Sequence, residues 1–442
     1  MEPWTNNDTM KKKRRPTRKP VRLRCSVKNY DWGILGHHSK VARLSALNSG
    51  SDIDPSKPYA EFWIGTHESG PSYADDPGSD HDPVSLKSWI ARDPSVLGEK
   101  VLHKWGPDLP FLCKVLSVQK ALSIQAHPDK EMARVLHKLH PSVYKDDNHK
   151  PEVALALTEF EALCGFTSLK ELKEMLRTVP EIAELVGVVD AEKILLVGER
   201  HENGKVNTDL EAMFSRLMLS SKETISKIIS RLKRRLNLEK KKRQLTVKEQ
   251  LVLRLESQYP ADVGAIAAFF LNYVKLKRGE ALYCGPNEPH AYISGECVEC
   301  MATSDNVVRA GLTSKQIDVQ TLLSMLKYRQ GAPEIMQGVS MNAYTKRFVP
   351  PFEEFEVDSC NLPHSASVVF PAVIGPSLFL VTGGKGRFDA GLAEDDVVTD
   401  DDIVEEGEVL FVPAHTKISI TAISTELHLY RVGANSTFFR DL

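Results

Sequence analysis

Hydrophobic residues along this chain keep two rhythms, and the change between them limits the fold more than any other feature of the sequence. From residue 22 to about 157, short apolar runs are broken by Pro55, Pro58, Gly65, Gly70, Pro71, Pro77, Gly78, Pro83 and Pro94. Turn residues that frequent favour strands over helices. Between about 158 and 262 the period lengthens. Leu169, Leu172, Met175 and Leu176 fall on one helical stripe, and Ile225, Ile228, Ile229, Leu232 and Leu236 on another. Ser168 with Glu171, Ser220 with Glu223, and Thr246 with Glu249 have capping-box spacing, in which two side chains satisfy each other's free helix amides. Strand-like text returns near 263 and runs to the C-terminus. A chain of 442 residues exceeds what one hydrophobic core organises, so several domains are expected.

An internal similarity sharpens this. Gly279-Glu280-Ala281-Leu282-Tyr283-Cys284-Gly285-Pro286 resembles Gly407-Glu408-Val409-Leu410-Phe411-Val412-Pro413-Ala414. Each reads as a tight turn feeding a buried strand that ends at proline. Phe379 to Gly386 reads as a strand running into a hairpin at Gly383-Gly384. Reused pieces of this kind suit small cupin barrels, which are jelly-rolls or double-stranded β-helices. The expected fold is therefore mainly β: two cupin barrels with an inserted α-helical domain. The expected divisions are a basic disordered tail (1–21), the first part of a catalytic cupin (22–157), a helical insert (158–262), the second part of the catalytic cupin (263–335) and a C-terminal cupin-like domain (336–442).

Net charge is -2, which gives no general pull toward nucleic acid or membrane surfaces. The exception is Lys11 to Arg15, continued by Arg18, Lys19, Arg22 and Arg24, where like charges predict a solvated tail. The basic stretch Arg231 to Arg243 reads as the solvated face of a helix. No apolar run is long enough for a membrane span. Seven scattered cysteines suggest no disulfide framework, and a reducing, cytoplasmic setting is expected.

Three polar segments stand out. In Leu122 to Asp129, strand alternation turns Ser123, Gln125 and His127 to one face and Leu122, Ile124 and Ala126 to the other. In Asp147-Asn148-His149-Lys150-Pro151-Glu152-Val153, polar groups precede an apolar run, as they would at the rim of a polar site. In Gly285 to Tyr292, two prolines fix the approach to His290. Gln125, His127, Glu152 and His290 together offer two imidazoles, a carboxylate and an amide oxygen, a donor set suited to zinc or a similar divalent ion. Cys297 and Cys300 would fall on opposite faces of a strand and so cannot chelate together. His415 has no matching ligand set, so no metal is expected in the second barrel.

These segments resemble type I mannose-6-phosphate isomerases. So do Tyr30 to Gly33, Ala60 to His67, Pro110 to Leu116 and Glu299 to Thr313, all in family order. The resemblance implies one zinc per chain on Gln125, His127, Glu152 and His290, with Arg309 in the active site. It implies sugar or phosphate contacts from Lys114, Ser123 and Lys315, and a hexose 6-phosphate substrate acted on as a monomer without nucleic-acid or membrane partners. It leaves the catalytic base open among Lys150, His149 and Glu299. Two other readings of the residues stand beside it: a non-catalytic sugar-phosphate-binding cupin, and an oxygenase using His127, His290 and Glu152 around iron.

Overall fold

Alternation of side chains across strands decides what each sheet touches. The computed structural model describes residues 19–75, 83–197, 203–390 and 402–440. In the first barrel, the antiparallel strands Ala281–Cys284, Glu152–Ala156, His290–Ala302, Phe111–Val118 and Glu61–Ile64 lie side by side in that order. Leu116, Ala154, Cys284 and Cys297 pack together on the face that also carries Lys114, Glu152 and Glu299. Val115, Val153 and Val298 point the other way, against Val357, Leu378, Phe411 and Val432 of the second barrel.

The facing sheet contains Ile124–Ala126, Phe160–Phe166, Leu271–Leu276, Val308–Gly311 and the opening residues of the His290 strand. That 13-residue strand serves both sheets. It passes from one to the other at Gly295, whose φ is 105° and where a Cβ would lie 2.3 Å from the Glu159 carbonyl oxygen. Only glycine fits such a bend. Helices running from Leu169–Thr178 to Val263–Ala267 cover this second sheet from outside, packing on Ile124, Ala126, Ala291, Ile293, Val308 and Ala310. The intervening residues Gln125, His290 and Arg309 consequently face inward.

The second barrel repeats the order with Val409–Val412, Ser377–Gly383, Glu426–Gly433, Glu356–Pro363 and Thr345–Phe348. The repeated Gly-Glu turns are equivalent in detail. Glu280 Oε2 accepts from the Lys277 amide and Glu408 Oε2 from the Glu405 amide, both at 2.9 Å. No described helix is long and apolar enough to cross a membrane.

Several expectations need correction. Gly384 does not close a hairpin: Ser377–Gly383 and Lys385–Asp389 pair into different sheets, so the glycine, at φ 86°, turns a barrel corner. The helix Lys222–Glu239 is capped by Ser221, not Ser220; the Ser221 hydroxyl accepts from the Thr224 amide, while Ser220 bonds backward to the Arg216 carbonyl. The boxes at Ser168 and Thr246 form as expected. Arg22 and Arg24 belong to the strand Val21–Arg24 and pair with Glu408 and Asp75, whereas Lys11 to Arg15 lie outside the described residues. Arg231, Arg235 and Arg243 are not merely solvated, since they pair with Glu184, Glu181 and Glu249. Cys297 and Cys300 do fall into separate cores.

Candidate active site

Three of the four expected ligands meet at the inner end of the first barrel. His127 Nε2 lies 3.1 Å from Glu152 Oε1, and His290 Nε2 lies 3.4 Å from Glu152 Oε2. All three residues are buried, and among the described residues they are the one such His/Cys/Asp/Glu cluster. The tautomers follow from the outer ring nitrogens. His127 Nδ1 is 2.7 Å from the Asn306 carbonyl oxygen and His290 Nδ1 is 3.0 Å from that of Glu288. A carbonyl can only accept, so in the neutral ring each Nδ1 holds the proton and each Nε2 presents a lone pair. Among the described residues, neither Nε2 has a hydrogen-bond partner. Lone pairs facing a carboxylate repel it unless a cation sits between them, so the cluster fits a metal ion. Burial pushes the His127 imidazole down to about 4, which keeps the ring neutral. Burial alone would raise Glu152, but the positive charge of the neighbouring Lys150 helps to hold it well below the usual carboxylate range. Gln125, the fourth expected ligand, is paired in register with both His290 and Arg309, and its side chain lines the adjoining cavity.

That cavity has a volume of about 860 Å3 and also holds Lys114, Ser123, Lys150, Glu299, Arg309 and Lys315 on its walls. Lys114 lies deep, its ammonium 3.0 Å from Glu299 and 3.8 Å from Glu61. Burial would lower its pKa, but those carboxylates raise it. Glu299 is pushed up by burial, with Lys114 pulling the other way. Lys150 Nζ sits 3.5 Å from Glu152 Oε1. Arg309 is half-buried without an ion pair among the described residues, and a guanidinium stays charged there despite desolvation. His149 is the exception. It is absent from the cavity wall, and its Nε2 meets Glu354 at 2.8 Å, beside the second barrel.

Sequence reasoning missed other participants. The Tyr292 hydroxyl donates to Glu152 Oε2 at 3.1 Å. Its spacing of two from His290 signals a shared strand face. The Asn306 carbonyl that orients His127 carries no such signal. Lys120 and Lys145 add positive charge to the cavity wall, and Asp262 lines it from the end of the helical insert.

The sequence model of the catalytic domain of type I phosphomannose isomerase matches residues 21–169, and that of the family's helical insertion domain matches 185–271. The chain belongs to the type I phosphomannose isomerase family. Mannose-6-phosphate isomerase 1 of Arabidopsis thaliana is 58% identical over 417 residues, covering 94% of each chain. The Homo sapiens mannose-6-phosphate isomerase is 38% identical over 406 residues, 90% of this chain and 94% of the other. A crystal structure of a mutant phosphomannose isomerase from Salmonella typhimurium is similar at a TM-score of 0.78 and 26% identity, covering 94% of this chain and 99% of that one. A mannose 6-phosphate isomerase crystallised with zinc and yttrium gives 0.77 at 27% identity, with coverage of 94% and 99%. As a phosphomannose isomerase family member, the chain is an enzyme of the isomerase class.

Proposed function

We propose that the chain interconverts D-mannose 6-phosphate and D-fructose 6-phosphate with one zinc ion per chain, feeding GDP-mannose biosynthesis. One observation carries this reading: the buried, partnerless Nε2 atoms of His127 and His290 close on the Glu152 carboxylate. With the Gln125 oxygen they make a thiolate-free donor set that suits zinc and leaves room for substrate. When bound, such an ion polarises sugar oxygens and disperses charge developing on them.

The chain's own residues divide the remaining work. Arg309 presents a cation beside Gln125, without an ion pair among the described residues, and stabilises negative charge on the O1/O2 edge of the open-chain sugar. Ser123 and Lys315 take hydroxyl and phosphate oxygens along the cavity, and Lys114 contacts the sugar while fixing Glu299. Of the three base candidates we assign Glu299. Its carboxyl is raised by burial, which suits a group that gains and returns a proton near neutrality. It removes the C2 proton to give a cis-enediolate, the hydroxyl proton passes from O2 to O1 through the cis-enediol, and the carboxyl returns the carbon-bound proton at C1. Lys150 keeps Glu152 ionised, and His149 anchors the preceding loop to Glu354.

The test is interconversion of the two sugar phosphates by the purified chain before chelation, after it, and with zinc restored. Loss and recovery of turnover are expected. Folded, zinc-loaded protein without turnover would refute the assignment.

A further inference from the structure

Two loops frame the metal cluster without supplying a ligand, and both are tied to a single carboxylate. Asp146 accepts from the Asn148 amide at 3.0 Å, the Ser304 hydroxyl at 2.7 Å, the Asp305 amide at 2.8 Å and the Asn306 side-chain amide at 3.2 Å. Three of these donors converge on Oδ1 and the other, the Asp305 amide, on Oδ2. Asn306 is fully buried, and its amide also donates to the Asp146 and Asn148 carbonyl oxygens at 2.8 and 3.0 Å. Asn148 returns a bond to the Thr303 carbonyl at 3.0 Å. The path of residues 303–306 therefore depends on residues 146–148.

That path ends at the Asn306 carbonyl, which holds the Nδ1 proton of His127. The same residues 146–148 lead directly into Lys150 and Glu152. We propose that Asp146 is a positioning residue for the metal centre. It touches neither metal nor substrate, but its carboxylate fixes the ring orientation and tautomer of one ligand and the entry of the strand bearing another. Groups that orient metal-bound histidines normally contribute roughly 10- to 100-fold in metal affinity. Here that contribution traces back through the Asn306 carbonyl to Asp146.

The inference rests on the zinc reading, and the experiment separates the two. Zinc affinity is measured by competition with a chelator for the full-length protein and for its Asp146→Ala and Asp146→Asn variants. Melting of the metal-free proteins and turnover at saturating zinc are recorded alongside. Asp146→Ala should bind zinc roughly 10- to 100-fold more weakly, release it faster and recover most of its turnover when zinc is in excess. Asp146→Asn, which keeps one acceptor oxygen, should fall between it and the parent. Zinc affinity within about twofold of the parent in both variants would overturn the inference while leaving the zinc reading intact. A parent protein that takes up no zinc would overturn both. If the alanine variant fails to fold, the asparagine variant decides by the same criterion.

Discussion

The two barrels are built on one plan and end in opposite chemistry. Their matching turns set the register: the Ala156 amide bonds to the Glu280 carbonyl oxygen, as the Val381 amide does to that of Glu408. Strand pairing then equates Glu152 with Ser377, Glu299 with Arg431 and Lys114 with Asp358. In the first barrel this end holds acidic groups and bare imidazole nitrogens that call for an added cation. In the second, the buried Arg431 guanidinium is the cation. It donates to Ser377 at 3.0 Å and Asp358 at 2.9 Å, and it pairs with Glu356 at 3.4 Å, while Arg347 closes the same carboxylates from the rim. With its Nε and Nη1 engaged by Ser377, Asp358 and Glu356, this guanidinium neutralises the carboxylates that an added cation would otherwise have to meet. The same fold is thus a site or a filled core according to a few inward positions.

Breaking the ligand position should have the largest effect. Glu152→Ala is expected to abolish zinc uptake and lower turnover by roughly 10³-fold or more, since metal-centred charge stabilisation is lost outright. Ser377→Ala, at the corresponding place, should leave turnover unchanged; a parallel assay of both decides. Replacing Arg431 with methionine should reverse the pattern. Two buried carboxylates would lose their central cation, at about 3–5 kcal/mol of stability in denaturant melts, with activity per folded molecule retained. The unpaired arginine of the first barrel should behave differently again. Arg309→Lys keeps the charge but loses the planar fork, and about a 10²-fold fall in kcat without a change in melting is expected. The smallest contrast compares the repeated turns. Glu280→Ala should cost about 1 kcal/mol, and Glu408→Ala somewhat more because Glu408 also pairs with Arg22.

What the sequence made readable was whatever depends on local period. Gln125 and His127 share a face because alternation puts them there, and the helical stripes and two of three capping boxes follow from near-neighbour spacing. Ser220 fits the box spacing as well as its neighbour Ser221 fits the cap, because a one-residue shift leaves the pattern almost intact. Gly384 could not be distinguished from a hairpin glycine, since sheet membership depends on pairing with strands such as Ile418–Ala422 and Glu426–Gly433. The site failed to be legible where partners are distant in sequence. The pairing of His149 with Glu354, and of Lys114 with Glu61 and Glu299, leaves no trace in local spacing. Backbone contributions, such as the Asn306 carbonyl, leave no mark on residue identity.

The strand Val21–Arg24 carries a consequence beyond the site. It begins the described chain, yet it lies against Val409–Val412, with Val21 opposite Phe411, before the chain goes on to build the catalytic barrel. The two ends of the described chain are therefore laced into one sheet, and the barrels share an apolar wall. Neither half can melt while the other stays folded without tearing both. Thermal inactivation should accordingly be a single cooperative event, in which loosening either barrel lowers the temperature at which the metal cluster is lost.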